Sequence, residues 1–87
     1  MRFSDVFVSR EDRYSIGTEL DSGRWYVSIP VSNGMVGYEE YYAISPGQSD
    51  LFLTDRTAAI EFVEACRRRL HDDLLIQKPG VDRGTAV

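Results

Sequence analysis

The chain has 87 residues, of which 43% are hydrophobic and 28% are charged, and its formal net charge is −4. This length and composition predict one small domain with a single core over residues 1–87. The negative charge makes nucleic acid an unfavoured partner, since binding to phosphates requires an excess of Lys and Arg. The apolar runs are too short for a membrane span or a signal peptide, so we expect a cytoplasmic protein without membrane contact. A single cysteine excludes an internal disulfide, and no ligand spacing indicates a metal or another cofactor.

The first predicted elements are strands. Within residues 1–12, a short apolar pattern from Phe3 to Val8 favours either an edge strand or a loose N-terminus. From Arg13 to Ile44, apolar and polar residues alternate with the period of a strand that buries one face. We therefore predict an antiparallel β-meander whose three strands cover residues 13–20, 24–31 and 35–44.

Two turns connect these strands. Residues 21–23 read Asp-Ser-Gly, and Asn33-Gly34 is the pair preferred in a two-residue type I′ hairpin turn. The register follows from keeping all apolar side chains on one face, because a one-residue slip would expose them. The predicted pairs beside the turns are Leu20 with Trp25 and Val31 with Val36. This register places Glu40 opposite Val27.

Helical signals follow the meander. Ser45 precedes a proline and is typical of a helix N-cap, which predicts a short helical turn through Leu53. A longer helix is predicted from a cap at Thr54 or Asp55 to the vicinity of His71. Its apolar residues recur at spacings of three and four and so form one stripe that can cover the sheet. The stripe consists of Ala59, Phe62, Val63, Cys66 and Leu70.

The end of the chain carries weaker signals. Residues 74–76 favour a short returning strand, and residues 77–87 are predicted to be a coil-like tail. The predicted fold class is therefore α+β. It is an antiparallel β-meander of three to five strands, packed against one main C-terminal helix with a short helical turn before it.

Glu40 is the one carboxylate on the apolar face of the predicted sheet. Because buried ionic groups need a partner, it indicates either a salt bridge to an arginine of the helix or the polar end of a pocket. The candidate ligand-binding residues are Glu40, Tyr38, Tyr42 and Arg68. No catalytic residue is assigned, since adjacent Glu39 and Glu40 point to opposite faces of a strand.

The other face of the sheet is predicted to carry aromatic residues. Tyr26 and Tyr41 lie opposite each other there, with Met35 and Glu39 on the same strand as Tyr41. Such a face is typical of a contact between protein copies, and the alternative is a solvated face with ordinary cross-strand packing. The candidate interface residues are Tyr26, Tyr41, Met35 and Glu39.

Several segments of the chain resemble a family of small uncharacterised bacterial proteins. The segments are residues 17–20, 22–34, 38–42, 67–69, 78–80 and 83–84. The resemblance implies a bacterial source and a stand-alone small domain. It implies no activity and transfers no catalytic residue.

The function favoured by these features is a small acidic protein-interaction module that forms a homodimer and binds another protein. One alternative is a small-ligand binder or enzyme with a polar pocket around Glu40 and Tyr42, although an enzyme is the less favoured class. A second alternative is weak nucleic-acid binding through Arg67 to Arg69, whose side chains would fan outward around a helix.

Overall fold

A computed structural model describes residues 1–87. The chain forms a four-stranded antiparallel meander, two helices and a short fifth strand, so the predicted α+β class is confirmed. The elements are β1 (Phe3–Ser9), β2 (Tyr14–Glu19), β3 (Arg24–Ser32), β4 (Gly37–Ile44), α1 (Pro46–Thr54), α2 (Arg56–Arg67) and β5 (Thr85–Ala86). The meander runs in the order β1-β2-β3-β4, and β5 pairs with β3. None of the helices has the length and apolar character needed to cross a membrane.

Both predicted hairpin registers are wrong by two residues. Trp25 lies opposite Thr18 instead of Leu20, and Val31 lies opposite Tyr38 instead of Val36. The reason is that each hairpin closes with a loop of four residues, 20–23 and 33–36. A shift of two preserves the alternation of faces, so the apolar residues still lie on the helix side of the sheet.

Glu19 closes the first hairpin loop. Its carboxylate accepts hydrogen bonds from the backbone N–H groups of Asp21 and Ser22, and from that of Arg2. These bonds lower the pKa of Glu19 from its ordinary 4.5 to about 2, and the bond from Asp21 contributes most to the shift. Asp21 pairs with Arg2 at 2.9 Å and so ties the N-terminus to the same loop.

The lowered pKa of Glu19 predicts a pH-dependent stability. A carboxyl that is more acidic in the folded chain stabilises it above pH 4.5, and this contribution disappears as the pH falls towards 2. We expect Glu19→Gln to lower the midpoint of urea unfolding at neutral pH, and the difference from the wild type to shrink at about pH 3. Glu61→Gln, at an exposed position on α2, is the matched control. Equal effects of the two substitutions would contradict this role of Glu19.

Asn33 closes the second loop in place of the predicted type I′ turn. Its side-chain oxygen accepts hydrogen bonds from the backbone N–H groups of Met35 and Val36. Its own N–H donates to the carbonyl of Val36. Gly34 takes a positive φ of 91° there, as the Asn-Gly pair predicts. Met35 consequently lies in the loop and not on β4, and it is 94% exposed.

The helices pack on the apolar face of the sheet. Ser45 caps α1 with a capping box, and Asp55 caps α2, so both predicted N-caps are confirmed. The buried core consists of Tyr14, Ile16, Val27, Ile29, Val31, Tyr42, Ile44, Phe52, Ala59, Val63 and Cys66. Helix α2 ends at Arg67 and not near His71, because Arg69 adopts a φ of 61° that breaks the helix. Leu70, predicted for the stripe, is therefore 65% exposed.

The tail is more ordered than the sequence predicts. Residues 74–76 do not form the predicted strand. Asp72–Leu74 form a 3₁₀ turn, and Leu75 makes a single β-bridge to Tyr42. Thr85 and Ala86 form β5, which pairs with Ser32 and Val31 on the part of β3 that β2 does not reach. The coil prediction was wrong here because a two-residue strand carries no periodic signal.

Candidate functional site

Glu40 lies on β4 and is 7% exposed. Its carboxylate accepts hydrogen bonds from Arg83, at 2.8 Å from Nε to Oε2 and 3.2 Å from Nη2 to Oε1. The hydroxyl of Tyr42 donates to Oε1 of Glu40 at 3.0 Å. The buried charge is thus neutralised and fully bonded, which is the condition under which a carboxylate tolerates burial.

Arg83 binds a second carboxylate at the same time. Its Nη1 lies 2.7 Å from Oδ2 of Asp72, and its Nη2 lies 2.9 Å from Oδ1. The pKa of Arg83 is raised by the hydrogen bonds to Asp72 and Glu40, and that of Asp72 is lowered. We call Glu40, Asp72 and Arg83 the carboxylate clasp, because Arg83 ties the tail to β4 and to the 3₁₀ turn.

Of the predicted ligand set, Tyr38 and Glu40 line one cavity of about 450 Å³, whereas Tyr42 and Arg68 do not line it. The sequence predicted an arginine of the helix as one possible partner of Glu40, but Arg83 of the tail takes that position, and Arg68 is exposed at the end of α2. The hydroxyl of Tyr38 accepts a hydrogen bond from the backbone N–H of Gly84 at 2.7 Å. Burial and the bond to Glu40 raise the pKa of Tyr42. Internal contacts occupy Glu40, Tyr38 and Tyr42, whereas the side chain of Arg68 makes none. Glu40 and Tyr38 hold the tail in place through Arg83 and Gly84.

Cys66 lies beside this cluster without nucleophilic character. It is 1% exposed, and burial raises the pKa of its thiol to about 12. The reactive form of cysteine is the thiolate, which is scarce at neutral pH when the pKa is this high. Cys66 therefore acts as a small core residue.

The predicted interface set is divided: Tyr26 is buried and Tyr41 is half-buried, whereas Met35 and Glu39 are exposed. Tyr26 is 0% exposed, and its hydroxyl donates to Oδ1 of Asp5 at 2.6 Å. Phe3 stacks on Tyr41 with ring centroids 3.6 Å apart and planes 10° apart, and the ring of Tyr26 stands perpendicular to both. Residues of β1 thus cover Tyr26 and part of Tyr41, the aromatic residues of the predicted interface.

Glu39 lies on the same face of the sheet and is exposed. Its Oε1 accepts a hydrogen bond from the buried hydroxyl of Ser28 at 3.2 Å. Desolvation, with a smaller effect of the charge on Asp5, raises the pKa of Glu39. The carboxyl of Glu39 is therefore held by the hydroxyl of Ser28 and is not paired with a cation.

The arginine run at the end of α2 is used for internal contacts. Arg67 donates to Glu64 and to the backbone carbonyls of Asp12 and Arg13, and Arg69 donates to the carbonyl of Gly84 at 3.1 Å. The three arginines therefore do not form one phosphate-binding surface. No group of three or more His, Cys, Asp or Glu side chains lies close enough together to hold a metal ion.

The sequence analysis did not identify Arg83, and it predicted β1 only as an edge strand or a loose N-terminus. Arg83 gave no signal, because a single arginine between an aspartate and a glycine predicts nothing about a carboxylate on a distant strand. The exposed apolar edge of β1 did leave a signal, the run Val6-Phe7-Val8, whose side chains are 59%, 41% and 52% exposed. A scan against family models, a search of curated proteins and a search of solved structures found no match, so the resemblance to small bacterial proteins stays a prediction.

Proposed function

We propose that this chain is a small acidic protein-interaction module that forms a homodimer through the outer edge of β1. The observation that carries the proposal is the exposure of Val6, Phe7 and Val8 on a strand that pairs only with β2. The cytoplasmic location expected from the sequence belongs to the same proposal.

The physical argument rests on the unpaired strand edge. An edge strand presents backbone N–H and C=O groups that can pair with another strand, and consecutive exposed apolar side chains favour that association. Natural proteins usually block such an edge with lysine or proline, and β1 contains neither. The other free edge, on β4, is partly occupied, because Ile76 donates its N–H to the carbonyl of Tyr41.

An irregularity in β1 limits the size of the contact. The register of β1 against β2 shifts between Asp5 and Phe7, which interrupts a continuous ladder at Val6. Apolar side-chain contacts are therefore expected to contribute more than backbone pairing. A contact this small favours a reversible dimer with a dissociation constant of micromolar order or weaker, roughly −8 kcal/mol at most.

The two alternatives receive less support from the geometry. A ligand site at Glu40 and Tyr42 would need free polar groups facing a cavity, whereas both are bonded to Arg83 or to each other. Nucleic-acid binding would need Arg67 to Arg69 to act together, whereas Arg67 and Arg69 are engaged by backbone carbonyls.

The substitution Val6→Lys tests the proposed dimer. We expect sedimentation velocity to show a concentration-dependent dimer for the wild type and a monomer for the variant, because a charge at the edge opposes strand pairing. Dimerisation is also expected to strengthen with added salt, since two chains of net charge −4 repel each other.

The matched control is Val36→Lys, because Val36 is 57% exposed and lies in the loop after β3, away from the edge. This variant should dimerise like the wild type. A wild type that stays monomeric at millimolar concentration, or equal dimerisation of the two lysine variants, would rule out an interface at β1.

A further inference from the structure

A second feature of the molecule lies between the β1–β2 connection and the last residue of the described chain. It is an open cavity of about 310 Å³, near the lower end of the volumes found for small-molecule sites. Val8, Pro30 and Val87 provide apolar wall, and Arg10 and Arg13 flank it. We call it the arginine pocket.

The two arginines of this pocket have no partner in the chain. Arg2, Arg56, Arg67 and Arg83 all make ion pairs, whereas the side chains of Arg10 and Arg13 make neither an ion pair nor a hydrogen bond. Both guanidinium groups are therefore free to bind an anion. Arg13 also adopts a φ of 56°, which an L-residue rarely takes.

Ser15 adds a hydroxyl to the wall of the arginine pocket. It is 6% exposed, lines the arginine pocket, and lies opposite Val8 on the same face of the sheet. Its hydroxyl makes no hydrogen bond within the chain, and since no side-chain oxygen that is closed to solvent lacks a partner, this hydroxyl is open to the cavity. The neighbouring hydroxyls are occupied: Ser28 donates to Glu39, and Ser9 donates to Asp12.

From these contacts we propose that the arginine pocket binds a small amphipathic carboxylate. The carboxylate lies between Arg10 and Arg13 and accepts a hydrogen bond from Ser15, while the apolar body packs against Val8 and Pro30. Arginine is suited to this role because its fork of N–H donors matches the two oxygens of a carboxylate.

The charge of the pocket selects a singly charged ligand. Glu39 also lines it, so the charged side chains of the pocket, two guanidinium groups and one carboxylate, sum to +1. A monocarboxylate neutralises that charge, whereas a phosphate monoester, with nearly two negative charges, exceeds it. Glu39 repels an anion at its own end of the pocket and thereby orients the head group towards Arg10 and Arg13.

The test is a titration followed by ¹H–¹⁵N NMR with three probes: 3-phenylpropionate, its neutral amide 3-phenylpropanamide, and inorganic phosphate. We expect saturable shifts with 3-phenylpropionate, largest at the amides of Arg10, Arg13 and Ser15, and at least about tenfold weaker binding of the amide and of phosphate. The proposal is overturned if the amide binds as tightly as the acid, or if no saturable shift appears at these residues.

Variants separate the pocket from general effects on the fold. Arg13→Asn removes the charge and suits a positive φ, so it should stay folded and weaken binding of 3-phenylpropionate by about tenfold. Ser15→Ala should weaken binding by a smaller factor. Arg68→Gln, at an exposed arginine that is also unpaired, should leave it unchanged. Equal loss of binding in Arg68→Gln and Arg13→Asn would overturn the assignment. Val6→Lys should bind 3-phenylpropionate like the wild type, whether or not the chain dimerises through β1.

Discussion

Replacing Arg83 with methionine is expected to lower the free energy of unfolding by about 3 kcal/mol, because it leaves Glu40 buried without its cation. The side chains of Glu40 and Arg83 are 7% and 13% exposed, so water cannot replace the lost partner without opening the structure. Asp72 is 41% exposed and regains water when Arg83 is removed, so it contributes less to the effect. Urea unfolding followed by circular dichroism measures the change.

A double-mutant cycle identifies the cause of this effect. Adding Glu40→Gln to the Arg83→Met chain should restore part of the stability, since the uncompensated buried charge is then gone. The control is Arg2→Met, which breaks a pair between side chains 70% and 57% exposed and should change stability by no more than about 1 kcal/mol. If Arg83→Met and Arg2→Met have the same effect, the clasp does not hold the tail as argued.

The same variant has a second, chemical readout. Cys66 lies under the carboxylate clasp, with its backbone carbonyl 3.4 Å from the hydroxyl of Tyr42. Opening of the tail in Arg83→Met should increase the rate at which a thiol reagent modifies Cys66 under native conditions. A rate equal to that of the wild type would mean that the tail remains closed without Arg83.

The second large effect is expected for Gly17→Ala. A Cβ at this position would lie 2.1 Å from the carbonyl oxygen of Ser4 and 2.5 Å from the hydroxyl of Tyr26, and neither can move freely. The first is backbone of the paired strand β1, and the second is held by its bond to Asp5. We expect a loss of about 2 to 3 kcal/mol and a changed near-ultraviolet circular dichroism signal, because β1 must separate from β2.

Gly37→Ala is the matched control for Gly17. Gly37 also lies in a strand, but a Cβ there meets only the carbonyl oxygen of Val31 at 3.8 Å, an ordinary contact. Its substitution should leave stability nearly unchanged or raise it slightly. Similar losses in the two variants would show that the close approach of Tyr26 to Gly17 is not what destabilises the chain.

The strands and their faces follow from the sequence because side-chain alternation is a local property of an extended chain. Tyr14, Ile16, Val27 and Ile29 are buried together on the predicted face. The helix caps at Ser45 and Asp55 are local in the same sense, since each bonds to a residue three positions away. These interactions need no knowledge of the rest of the fold.

The register could be predicted only in part. Alternation sets whether a side chain is on one face or the other, but it does not distinguish registers that differ by two residues. The choice is made by the loops, where Glu19 and Asn33 bond to backbone N–H groups and enclose four residues. Such side-chain closures compete with the preferred Asn-Gly turn and are not evident from residue types alone.

The candidate site was the least predictable part of the chain. The sequence indicated that Glu40 breaks the apolar pattern of its face and needs either a cation or a polar pocket, which is a consequence of burial energetics. Only the tertiary structure decided that the cation is Arg83, 43 residues away, and that β1 covers Tyr26. The sequence thus determined the elements, their faces and the unpaired charge, while partners distant in the chain were selected by how the elements pack, which no local pattern encodes.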